Sequence, residues 1–185
     1  MSAFRRMFAA ALVCLAGCAS AQRFDQLEAT RVLGPHWKQL SRSAGMVFAG
    51  TVLRVERQPS TNHRPLPIVE VKFQVDRAIA GVQAGQVLTL REWEGAASRH
   101  RAMRVGQRVL LFLYPRSRLG LTSPVGGPLG QFEIDSLGKL VASDFSVPRN
   151  SESTGSLRPR PTSVPQDVPL LQLERAIRSA RKNKE

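Results

Sequence analysis

The sequence predicts a mainly β fold, a small barrel or sandwich of short strands with a helical segment at either end. Three observations carry that expectation. Apolar residues alternate with polar ones through the middle of the chain. Gly and Pro punctuate the alternating runs at hairpin spacing. The 185 residues are 42% hydrophobic, which suits one ordinary core plus tails.

The first run, Met46 to Glu56, reads as a strand, and Gly50 inside it marks a bulge or a close backbone approach. Residues 58–67 hold three Pro and form a loop. From Ile68 to Ala78 the alternation is clean: Val69, Val71, Phe73 and Val75 take one face, and Glu70, Lys72, Gln74 and Asp76 take the other. Gly81 and Gly85 mark a turn before the strand Val87 to Trp93. Arg108 to Tyr114 is apolar on both faces, which predicts a central strand. Leu119 to Thr122, Gln131 to Ile134 and Lys139 to Val141 are shorter candidates.

Residues 22–43 read as a helical lead-in broken at Gly34-Pro35. Residues 145–169 hold five Pro and five Ser and read as a disordered linker. Pro169 then precedes a basic amphipathic helix over 170–183, with Leu170, Leu173, Ile177 and Ala180 in one narrow stripe. So thin a stripe favours docking on the barrel or on a partner over lying on a membrane.

The N-terminus reads as an export signal over 1–21. Arg5 and Arg6 are followed by a short apolar stretch, Met7 to Ala16, too short to span a bilayer. Two cleavage sites overlap there. Leu15-Ala16-Gly17-Cys18 resembles the bacterial lipobox, which would acylate Cys18; Ala19-Ser20-Ala21 fits ordinary signal peptidase. The lipobox is the better match, and it predicts a lipoprotein on the periplasmic face of the outer membrane or elsewhere in the cell envelope. Cleavage at the second site predicts a periplasmic or secreted product. Either cut removes Cys14, so no disulfide can staple the folded part.

Three segments together suggest a family. Ala44-Gly45-Met46-Val47-Phe48-Ala49-Gly50-Thr51-Val52, residues 71–81 (VKFQVDRAIAG) and residues 105–113 (VGQRVLLFL) resemble the netrin-like fold of the tissue inhibitors of metalloproteinases. The resemblance covers roughly residues 44–143 and implies a five- to six-stranded OB-like barrel over 44–144 with helices packed outside. It raises a protease-inhibitor-like role against an exported metalloprotease. The family's Cys-x-Cys terminus is absent, however, and an acylated amine at Cys18 would ligate zinc poorly, so no inhibitory residue is carried over.

Motifs for catalysis are sparse. His36, His63 and His100 stand at no metal-ligand spacing, and no metal or cofactor is expected. Glu92 and Glu94 flank Trp93 and read as a solvent-facing pair on a half-buried strand. Gly126-Gly127-Pro128-Leu129-Gly130 lacks the residues of a phosphate loop and reads as a wide turn, and Ser123 lacks the setting of a nucleophile. No enzyme activity is expected.

Charge is the strongest anomaly. Lys and Arg number 27 against 14 Asp and Glu, a net charge of +13. No acid falls between Glu94 and Glu133, while Arg99, Arg101, Arg104, Arg108, Arg116 and Arg118 do, which predicts an anion-binding patch. Export and the few aromatics argue against nucleic acid. The expected function is therefore that of a non-catalytic envelope module, held to the membrane by an N-terminal lipid, that binds a protein or an anionic polymer.

Overall fold

The computed structural model describes residues 26–61, 66–141 and 170–182. The export signal with Cys18 and Ala21, and the linker over 145–169, lie outside the described residues. Among the described residues six strands form one antiparallel sheet: β1 (Met46–Gln58), β2 (Ile68–Ala80), β3 (Val87–Trp93), β4 (Arg108–Leu113), β5 (Gln131–Ile134) and β6 (Leu140–Val141). Their order across the sheet is β3-β2-β1-β4-β5-β6. Four α-helices accompany them: α1 over 26–33, α2 (Trp37–Ser43), α3 (Glu94–Ala97) and α4 (Leu170–Lys182).

Alternation sets the two faces. In β2, Val71, Phe73 and Val75 are buried on one side, as the period-two pattern requires. β4 is buried on both faces and lies between β1 and β5, the central place its apolar run predicts. Gly50 does what its position in a strand suggests. The β1–β2 register slips between Ala49 and Gly50, and a Cβ on Gly50 would stand 2.5 Å from the Gln74 carbonyl oxygen.

Each face carries its own apolar core. On one side Val47, Ala49, Leu110, Phe112 and Phe132 meet α1, α2 and α4, with Phe112 and Phe132 edge to face at 6.0 Å. On the other side Phe48, Val52, Phe73, Leu88, Leu90, Leu111 and Met103 pack together, with Phe48 and Phe73 edge to face at 5.5 Å. α4 spends its apolar stripe on the first core: Leu173 and Ile177 are 0% exposed. Its basic residues pin it in place. Arg181 donates to the carbonyls of Ser41 and Ala44 at the C-terminal end of α2, where positive charge is favoured. Arg178 donates to the Ala78 carbonyl at 2.9 Å. The stripe is thus covered by the sheet and α2, and no described helix is long and apolar enough to cross a membrane.

The sheet is open: no ladder joins β3 to β5 or β6 among the described residues. Two donors instead reach the outer edge of β3. Thr122 N–H bonds the Arg91 carbonyl at 2.9 Å, and Arg116 Nη2 bonds the Thr89 carbonyl at 3.0 Å. These contacts blunt an edge that would otherwise offer itself to another strand. One predicted strand is corrected. Leu119–Thr122 is not a strand, because Gly120 takes a left-handed φ of 73° and Ser117 closes a turn onto Leu121 through both its backbone and its hydroxyl.

Candidate functional site

β3 runs Val-Leu-Thr-Leu-Arg-Glu-Trp, and its inward residues are Leu88, Leu90 and then Glu92. The expectation that Glu92 faces solvent is therefore overturned: it is 2% exposed and stands where the next core leucine would. A buried carboxylate needs a partner. The partner comes from the loop after α3, where His100 Nε2 lies 2.7 Å from Glu92 Oε2 and both side chains are shielded from solvent.

His100 is held at both ring nitrogens. Nδ1 faces the Arg101 carbonyl oxygen at 3.3 Å while Nε2 faces the carboxylate. Both neighbours are acceptors, so the doubly protonated ring is the form that satisfies both bonds. Burial, the largest single influence, disfavours the charged ring. The hydrogen bond and charge of Glu92, with help from the Arg101 carbonyl and Gln131, outweigh it and raise the imidazole above its ordinary 6.5.

Two acceptors at this place find no donor among the described residues: Glu92 Oε1 and Gln131 Oε1, both buried. Gln131 Nε2 is engaged, donating to the Arg101 carbonyl at 3.0 Å. Glu92 and His100 line a pocket of about 220 Å³. Its walls are apolar, from Val55, Val69, Val71, Leu90 and Met103, and its mouth carries Arg57, Glu94, Ser98 and Ala102. Glu94, expected on the same solvent face as Glu92, is half exposed there and pairs with Arg57 at 3.7 Å. The two carboxylates share a pocket but not an environment. One is dry and bound to an imidazole; the other is wet and paired with a guanidinium.

The loop that brings His100 into place is fixed by its own backbone. Gly106 adopts a left-handed φ of 82°, and its N–H bonds the Val52 carbonyl at 2.8 Å. Gln107 Oε1 accepts from Arg104 N–H at 3.0 Å. Met103, just before these anchors, is buried in the core.

The six arginines predicted to attract anions are distributed unevenly. Arg101 pairs with Glu133 at 3.1 Å, and Arg108 lies 3.8 Å from Asp76. Arg116 is spent on the edge of β3. Arg99, Arg104 and Arg118 are exposed, with no ion-pair partner among the described residues. Arg101 and Arg104 share a surface depression of about 450 Å³ with Glu133 and Gln107, and Arg99 projects from the same loop. Arg116 and Arg118 follow the far end of β4, a strand of six residues and so roughly 17 Å away along the sheet. Arg99, Arg101 and Arg104 lie on one loop, Arg108 begins the strand that follows it, and Arg116 and Arg118 lie beyond that strand's other end.

The remaining candidates are placed simply. Among the described residues no three His, Cys, Asp or Glu side chains gather to hold a metal ion. His36 is exposed at the start of α2, and His63 lies outside the described residues. Gly126 to Gly130 forms a left-handed turn and one 3-10 turn leading into β5. The Ser123 carbonyl accepts from Tyr114 N–H. Compared with protein-family models, curated proteins and solved structures, the chain matches none.

Proposed function

We propose that this chain is an exported envelope module, anchored through a lipid on Cys18, whose β domain binds an envelope protein or an anionic polymer without transforming it. The loop charge favours the polymer. One observation carries the reading: Arg99, Arg101 and Arg104 follow one another on the exposed loop between α3 and β4, and among the described residues only Arg101 of the three has an acidic partner. A polymer bearing repeated phosphates or carboxylates gains from several such charges at once, and guanidinium groups suit both anions. The finer fold is the OB-like, netrin-like barrel. In its support, β1 is flanked by β2 and β4, the meander β1-β2-β3 continues on one side, and Thr122 and Arg116 reach across to β3.

The test is a charge reversal that spares the folded interior. Arg99→Glu with Arg104→Glu leaves the Arg101–Glu133 pair intact, and Arg118→Glu serves as the control from the far end of β4. Sedimentation with vesicles rich in phosphatidylglycerol, used as the anionic probe at low ionic strength, should show the double variant bound at least tenfold more weakly, with Arg118→Glu close to the unaltered protein. Added salt should erase the difference as screening shortens to about 8 Å. Equal binding by the double variant at low salt would refute the reading.

A further inference from the structure

The pocket at the end of β3 carries an inference independent of the arginine loop. We infer that it is a binding site for a single-ring apolar molecule bearing one hydroxyl or N–H donor, with phenols as the simplest class. The argument begins with Glu92. Its side chain is almost wholly shielded, one oxygen is taken by His100, and the other has no donor among the described residues. A buried acceptor left bare costs free energy, and a ligand donor would recover it. Glu92 lines the pocket; its bare oxygen is covered, so a ligand donor reaches it as the side chain turns toward the pocket.

Size and lining then narrow the class. An apolar cavity of about 150 Å³ suffices for benzene. A pocket of about 220 Å³ therefore holds one ring with a substituent. Val55, Val69, Val71 and Leu90 offer the ring an apolar wall. Met103 places a thioether in that wall, a favourable neighbour for an aromatic ring. Arg57 at the mouth can sit over the ring face. The imidazole cannot serve both neighbours and the ligand, because each of its nitrogens already faces an acceptor.

Met103 supplies the reporter. The chain has four Met, and of the two in the core Met103 lines the pocket while Met46 does not. Full-length protein labelled at the methionine methyl groups would be titrated with p-cresol and with toluene, which differ by the donor alone. The Met103 methyl should shift saturably, the Met46 methyl should stay, and p-cresol should bind at least about tenfold more tightly than toluene. Adding N-acetyltyrosinamide separates the sources. Binding of p-cresol alone points to a free small molecule, and binding of both points to a tyrosine side chain presented by a peptide.

Two variants guard the result. Ala102→Trp fills the mouth from an exposed position and should abolish the shift with the fold unchanged. Glu92→Leu with His100→Leu removes the acceptor and its partner together, and should bring p-cresol and toluene within about twofold of each other. An unmoved Met103, equal affinity for p-cresol and toluene in the unaltered protein, or binding undiminished by Ala102→Trp would each overturn the inference. None of these results depends on whether the arginine loop binds polyanions.

Discussion

On the helical side of the sheet, Val47, Ala49, Leu110 and Phe112 meet Leu173 and Ile177, and arginines tie the helices down by donating to backbone carbonyls. On the opposite side, Phe48, Phe73 and Leu111 pack through the middle, but beyond Leu90 the apolar series gives way to Glu92 and an open pocket. Both faces are built from the same alternation. They differ in how they end. The helical face ends in covered apolar side chains, while the other ends in a carboxylate–imidazole pair with unpaired acceptors. Stability explains the first arrangement. It does not explain the second, because a leucine at position 92 would complete the core with no polar group to satisfy. Retaining a half-satisfied polar pair at that place is the mark of a site rather than of a scaffold.

The largest expected effect comes from splitting that pair. His100→Leu leaves Glu92 shielded from water with no partner, and should cost about 3–5 kcal/mol. Glu92→Leu with His100→Leu should recover most of the loss, since an apolar pair of similar volume is often neutral or stabilising. Urea unfolding of the two variants measures the difference. If single and double variants unfold at the same midpoint, the two residues are uncoupled and the contrast between the faces loses its chemical basis.

Truncation sharpens the contrast next. Ile177→Ala, on the helical face, deletes a fully buried side chain and should cost about 2–5 kcal/mol. Val55→Ala, on the pocket wall, deletes a half-buried one beside open space and should cost about 1 kcal/mol or less. The same unfolding assay checks both. Comparable costs would mean that the pocket is packed in solution and that α4 contributes no more than the pocket wall.

How much of this was legible beforehand follows from what each pattern encodes. Alternation in β2 and the two-sided apolar run of β4 report burial directly, so their faces and the central place of β4 were readable. The stripe of α4 was readable for the same reason, although Ala176, also buried, escaped it. The Glu92–His100 pair is not legible in the sequence, because the two residues belong to different elements and no local spacing links a strand end to a loop. A signal was present even so. Glu92 is in phase with Leu88 and Leu90, which places a carboxylate on the core face, and an in-phase acid predicts a buried partner. The arginine stretch shows the opposite limit of reading along the chain. A stretch without acids looks uncompensated along the chain, but Asp76 on β2 and Glu133 on β5 reach Arg108 and Arg101 across the fold.

The smallest expected effect separates the faces by pH. In the folded chain His100 titrates above its ordinary 6.5, so the native state holds a proton more tightly than the unfolded state does. The stabilisation from that proton is complete below pH 6.5 and is lost as pH rises through the raised value. The sign follows directly: between those values the unfolded state binds fewer protons, so stability falls with rising pH. Urea midpoints taken from pH 6 upward should therefore decline in the unaltered protein more than in Glu92→Leu with His100→Leu, which lacks the imidazole and its carboxylate partner. Ile177→Ala, whose lesion lies on the helical face, should keep the full decline from a lower starting stability. A decline of equal slope in the double variant would place the proton elsewhere, and the pocket end of the sheet would then be as insensitive to pH as the helical side.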